Sequence, residues 1–204
     1  MNKKISAALF LFMLSLALQA GEIKAMIGPN WSKYLFSSEI DALNRQQKTG
    51  FGIGLGWATP LNRKMKLEVN ALLSGKGAKV SLVSSPGKSI PGVYKNTSIA
   101  LPVLFKYQLK EKATPYAALG PEFVFILSHR LHFPEGGNSV DISYNTRKFV
   151  MAFNVLLGYE YPVGQWSLFA EIRYNRWLGN FLTHADAAVK SESMAIMLGG
   201  VYHL

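Results

Sequence analysis

Phe51-Gly52-Ile53-Gly54-Leu55-Gly56-Trp57-Ala58 alternates large apolar residues strictly with glycine or alanine. A period of two puts Phe, Ile, Leu and Trp on one face of a strand and leaves the other face almost bare. A soluble sheet normally carries charge on its second face. A transmembrane barrel has lipid outside and a narrow lumen inside, so it asks for bulky apolar residues outward and small or mildly polar ones inward.

The same period recurs along the chain. Ile23, Ala25 and Ile27 form a weak first strand before Pro29, and Phe51 to Ala58 is the second. The others set Leu67, Val69, Ala71 and Leu73, then Ile99 to Tyr107, Ala117 to Leu127, Phe149 to Tyr161, Trp166 to Tyr174, and Met194 to Leu204 on one face. Pro121 interrupts the fifth as an irregularity. Short connections follow strands two, four and six, at Thr59 to Lys64, Lys110 to Thr114 and Pro162 to Gln165. Long ones cover Trp31 to Thr49, Ser84 to Tyr94, Ser128 to Lys148 and Gly179 to Glu192. An even strand count with alternating loop lengths predicts an all-β fold, an eight-stranded antiparallel up-and-down transmembrane barrel with short turns on the periplasmic side.

The first twenty residues fit an export signal: Lys3 and Lys4, an uncharged apolar stretch from Ile5 to Leu18, then Gln19-Ala20-Gly21. Residues 1–20 are therefore expected to be a signal peptide and 21–204 the barrel domain. Cleavage removes two lysines and no acid, leaving 20 basic against 12 acidic residues and a net charge of +8. Without cysteine the chain has no disulfide, no thiolate metal site and no lipoprotein attachment. No later apolar run reaches the length of a spanning helix, so a membrane would be crossed by strands.

Parity assigns the remaining roles. Trp57, Tyr107, Tyr159, Tyr161, Trp166 and Tyr202 gather at the short-turn end on the apolar face, as a periplasmic aromatic girdle would. Lys66, Glu68, Lys106, Glu122, Glu160, Glu171 and Arg173 point inward. Charges confined in a lumen must pair, so a plugged, salt-bridged interior is expected, and a narrow ion or solute channel is the alternative. If Tyr161 pairs with Trp166, Asn154 faces Arg173, and Phe169 fills the space at Gly158.

The basic excess falls in or beside the long loops, at residues including Lys33, Lys48, Lys76, Lys79 and Lys95. Arg130, Arg147 and Lys148 are candidates for contact with lipopolysaccharide phosphates in the outer leaflet. Other readings fare less well. In a soluble lipocalin-like barrel the bare glycine and alanine faces would meet water. Nucleic-acid binding lacks a basic helix or an aromatic-basic platform. A lipid-modifying enzyme or metal site would draw on His129, His132, His184 or His203, with Ser128, Glu135 and Asp141 near the first two, at a nonspecific spacing. No cofactor or metal is expected, and the barrel reads as a monomer.

Leu101-Pro102-Val103-Leu104-Phe105-Lys106-Tyr107 and Pro115-Tyr116-Ala117-Ala118-Leu119-Gly120-Pro121 carry a resemblance. With Glu68, Gly75-Lys76-Gly77, Gly158-Tyr159-Glu160-Tyr161 and Arg173-Tyr174, their order resembles the small outer-membrane β-barrels of the porin-like superfamily, particularly the PorT-like group. The resemblance implies a fold and an outer-membrane location, with insertion by dedicated machinery, but no shared biochemical activity. A role in secretion is possible in that group. Such chains usually end in an aromatic residue, whereas this one ends in Tyr202-His203-Leu204.

Overall fold

The computed structural model describes residues 21–36, 46–85, 88–109, 114–134, 137–182 and 189–204. The expected signal peptide lies outside the described residues.

Among the described residues the chain forms β1 (Glu22–Phe36), β2 (Gln46–Pro60), β3 (Met65–Ser85), β4 (Lys88–Gln108), β5 (Thr114–His132), β6 (Ser139–Asp141), β7 (Phe149–Val163), β8 (Trp166–Trp177) and β9 (Val189–His203). Eight of these are staves of a closed antiparallel barrel, each paired with its neighbour and β1 with β9. The short β6 adds only to the outer end of β5. No helix among the described residues is long and apolar enough to cross a membrane, and the barrel crosses with strands.

Alternation sorts the two faces as the sequence predicts. Phe149, Met151, Phe153, Val155, Leu157, Tyr159 and Tyr161 are all exposed on β7, while Val150, Ala152, Asn154 and Leu156 between them are buried. Phe51, Ile53 and Leu55 of β2 likewise face outward, against buried Gly52 and Gly54. Trp57 is half-buried because its ring lies over Gly21, where a Cβ would meet it at 1.8 Å.

The three glycines of β2 make room for different things. A Cβ at Gly54 would strike the Leu72 side chain at 2.3 Å, one at Gly56 would strike Asn70 and crowd Lys24, and one at Gly52 would stand 3.8 Å from Met197. Only Gly56 lies against a charged chain, so the bare face is filled as much by apolar groups as by charge.

Three expectations are corrected by the register. First, strands run on into the stretches expected to be outer loops. Residues 84–85 and 88–94 belong to β3 and β4, whose ladder pairs Ser81 with Pro91 and Val80 with Gly92, and β1 runs past Pro29 to Phe36. An antiparallel partner that continues beyond the bilayer lets the ladder continue with it.

Second, the β7–β8 hairpin closes with the two residues Gly164-Gln165, with Gly164 at φ 66°, so Val163 pairs with Trp166. Asn154 therefore faces Asn175 and Gly158 faces Glu171. The Tyr116 ring fills the space at Gly158, where a Cβ would lie 2.4 Å from it, and Phe169 packs against Gly199. Third, Lys76 is not an outer-loop charge: it is 6% exposed on the inner face, continuing the parity of Lys66, Glu68, Asn70 and Ser74.

Gly199 and Gly200 allow a controlled comparison. A Cβ at Gly199 would meet the Ala25 carbonyl oxygen at 1.9 Å and the Phe169 ring at 2.7 Å, whereas one at Gly200 finds nothing nearer than 3.9 Å. Gly199→Ala is expected to abolish the heat-modifiable folded band on a gel, and Gly200→Ala to leave it unchanged. Equal refolding yields for the two variants would refute this reading.

Candidate functional site

The lumen is organised in levels set by the inner faces of β1, β3, β4, β5, β7, β8 and β9. At the short-turn end, Lys66 Nζ donates to Glu22 Oε1 at 2.5 Å and Lys106 Nζ to Glu160 Oε2 at 2.7 Å. Lys106 also sits 3.9 Å from the centre of the Tyr116 ring. His203 joins this level, with Nδ1 3.0 Å from Glu22 Oε1 and Nε2 2.7 Å from Ser167 Oγ.

Above it Lys24 bridges two carboxylates, donating to Glu68 at 3.0 Å and to Glu171 at 2.8 Å. Tyr116 OH donates to Glu171 at 3.0 Å, Asn70 Nδ2 to Glu68 at 2.9 Å, and Arg173 Nε to Glu171. These groups are all 3% exposed or less, so the level holds charge only because each member has charged or hydrogen-bonding partners.

A looser third level follows. Lys76 Nζ donates to Asn175 Oδ1 at 3.3 Å and stands 3.9 Å from Glu122 Oε1, while Asn154 Nδ2 donates to the other oxygen of Glu122 at 2.6 Å. The outer end is capped by Tyr34, Tyr94, His129, Trp177 and Phe181, with ring centroids 4.9 to 5.9 Å apart. Aromatic packing at these spacings makes a dry plug. Across all levels Lys24, Lys66, Lys76, Lys106 and Arg173 oppose Glu22, Glu68, Glu122, Glu160 and Glu171. The lumen is thus electrically balanced.

All seven lumen charges expected from parity lie on the inner face, with Lys66 the least buried. Lys24, Glu22 and Lys76 complete the network and were missed. Lys24 and Glu22 belong to the weakest strand, and Lys76 to a stretch resembling a loop. The aromatic residues Tyr107, Tyr159, Tyr161 and Trp166 are exposed on the outer face at the short-turn end, and the Trp166 ring packs tilted against Tyr202 with centroids 4.9 Å apart.

The histidines do not form the site their spacing allowed. A bulge opposite Thr97 and Ser98 leaves Leu127 unpaired and reverses the parity of β5 beyond it, turning His129 into the lumen. There its Nε2 lies 3.3 Å from Tyr34 OH and its Nδ1 2.9 Å from Thr146 Oγ1. His132 instead bonds Ser139 Oγ at 2.9 Å. Asp141 accepts from the Ser143 backbone N–H at 2.8 Å, and this bond holds its carboxyl below the usual range. Glu135 and His184 lie outside the described residues.

Glu22, Glu160 and His203 approach within 4.8 Å of one another, a separation that suits a cation. The ammonium groups of Lys66 and Lys106 already occupy the carboxylates. Ser167, His203 and Glu22 align like a nucleophile, base and orienting acid, but Ser167 is only 2% exposed. Their arrangement is a latch joining β8, β9 and β1.

Outside, Arg130, Arg147 and Lys148 are exposed. Arg130 pairs in register with Lys95 on one side and Asp141 on the other. Arg147 N donates to Phe181 O at 2.7 Å, so the strap carrying Arg147 and Lys148 also pins the aromatic plug. On the opposite flank, Lys33 meets Glu192 at 2.8 Å.

A closed eight-stranded antiparallel barrel with an apolar outer band and a polar, paired interior is a transmembrane barrel of the outer-membrane type. The chain belongs to the outer membrane protein beta-barrel domain family, whose model matches residues 19–183, and it is an integral protein of the outer membrane. No curated protein matches it. Among solved structures it is similar to OprG of Pseudomonas aeruginosa, with 11% identity, TM-score 0.55, and coverage of 91% of this chain and 96% of that one. It is also similar to the Yersinia pestis attachment invasion locus protein Ail, solved with the heparin analogue sucrose octasulfate, at 18% identity and TM-score 0.48, covering 90% and 99%. Neisserial surface protein A matches at 16% identity and TM-score 0.48, covering 87% and 95%.

Proposed function

We propose that this barrel works as a structural and surface-interaction element of the outer membrane and not as a conduit or an enzyme. The observation that carries the reading is the filled lumen, in which five cations and five carboxylates pair beneath an aromatic plug. An ion crossing it would have to break these buried pairs and pass the aromatic plug, leaving charges uncompensated in a narrow barrel. Nor does the site offer catalysis: both ring nitrogens of His129 have partners, and Ser167 is shut from solvent.

Interaction then falls to the outer rim. Arg130, Arg147 and Lys148 reach the level of the lipopolysaccharide phosphates, where cations gain from anionic headgroups. The exposed aromatics at the opposite end, Tyr159, Tyr161 and Trp166 with Trp57, Tyr107 and Tyr202, anchor the periplasmic interface. The chain acts as a monomer and relies on the insertion machinery during biogenesis.

Two measurements test this on the full chain. In planar bilayers the refolded protein is expected to give no reproducible conductance steps; discrete steps would establish the channel instead. Lipopolysaccharide is expected to co-purify with the wild-type barrel and to be lost from the variant Arg130→Gln, Arg147→Gln, Lys148→Gln. Equal retention by the two would remove the proposed contact.

A further inference from the structure

Between the aromatic plug and the Lys24 level the lumen opens into a cavity of about 50 Å³. Eight polar side chains that line it are nine-tenths or more buried. Five of them carry an atom without a hydrogen-bond partner among the described residues: both amide atoms of Asn30, Ser74 Oγ, Asn154 Oδ1, Arg173 Nη1 and Asn175 Nδ2. Leaving a buried donor or acceptor unpaired costs about 1–3 kcal/mol each, so so many together in one small space call for a ligand.

The chemistry of the lining selects it. Arg173 Nη1 and Asn175 Nδ2 are donors, Asn154 Oδ1 is an acceptor, and Ser74 and Asn30 are both. The amide orientations are fixed, because Asn175 Oδ1 accepts from Lys76 and Asn154 Nδ2 donates to Glu122. An anion would face Asn154 Oδ1 and the Glu122 carboxylate, and a cation would face Arg173 and Lys76. The balanced charge of the lumen leaves neither ion anything to neutralise. Water, which donates and accepts, meets every one of these groups.

We propose that this chamber is a binding site for a cluster of about three to five water molecules, at roughly 10–15 Å³ of accessible volume each. The cluster bridges Lys76 and Glu122, whose 3.9 Å separation is too long for a direct hydrogen bond. Apolar clusters containing Trp177 and Phe181 on one side and Met26, Phe169 and Met197 on the other pack elsewhere in the lumen. The lumen therefore has a wet middle among apolar clusters, a property that the surface-interaction reading does not require.

The test is magnetisation transfer from water to side-chain amides in the full chain, refolded in lipid nanodiscs. Transfer is expected at the Asn30 and Asn175 amides of the wild-type barrel. In Ser74→Val, which narrows the chamber with a methyl group, transfer at Asn175 is expected to fall at least twofold. Absence of transfer at both amides in the wild type overturns the proposal, and this measurement stands even if the variant fails to fold. Crystals soaked in bromide distinguish the ion: an anomalous peak inside the chamber would make it an anion site and end the water assignment.

Discussion

Lys24→Met is expected to destabilise the folded barrel by about 3–5 kcal/mol, the cost of removing one partner from a buried ionic group. Nζ of Lys24 touches both Glu68 and Glu171, and without it two carboxylates share the single guanidinium of Arg173. Methionine keeps most of the volume of the lysine stem, so the loss is electrostatic and not a cavity effect. Adding Glu68→Gln restores charge balance, because Arg173 and Glu171 remain as a pair, and should recover most of the stability. Urea unfolding in lipid vesicles, followed by heat-modifiable mobility, measures both variants. Equal stability of the single and double variants would show that Lys24 does not hold this level together.

The triple variant Arg130→Gln, Arg147→Gln, Lys148→Gln should lose lipopolysaccharide affinity by about 30- to 150-fold, at about 1 kcal/mol per cation near an anionic surface. The three contributions should be unequal. Arg130 lies across the β5–β6 ladder from the exposed Asp141, whose opposite charge offsets part of its pull on a phosphate. Arg130→Gln alone is thus expected to cost less than Lys148→Gln. Raising salt should shrink every difference, since these groups are exposed and screened. Titration of each variant with lipopolysaccharide at two ionic strengths checks the order; a salt-independent loss, or a dominant effect of Arg130, would contradict the electrostatic account.

The faces of β2, β7 and β8 were legible from sequence, because each alternates without interruption and no turn residue intervenes. For the same reason Glu171 and Arg173, or Glu160, could be assigned to the lumen by counting in twos. Lys76 could not, since Pro91-Gly92 looks like a turn but pairs within the β3–β4 ladder, opposite Ser81 and Val80. Lys24 was hidden by a strand with only three apolar residues on its outward face before Pro29. His129 was hidden by a bulge, which shifts parity by one residue and leaves no mark in the composition. The chamber was the least legible of all. Its lining comes from all eight staves of the barrel, and only the register brings Asn154 opposite Asn175.

The β3–β4 hairpin has a further consequence. Its outward apolar residues end at Leu73 and Ile99, yet β3 continues to Ser85. That remainder, at about 3.3 Å per residue and with the usual tilt of a barrel strand, rises roughly 30 Å beyond the hydrocarbon. A paired ribbon of that height reaches past the headgroups. Among the described residues, an antibody, a phage or another cell arriving from outside meets the outer end of this ribbon before the basic rim below it.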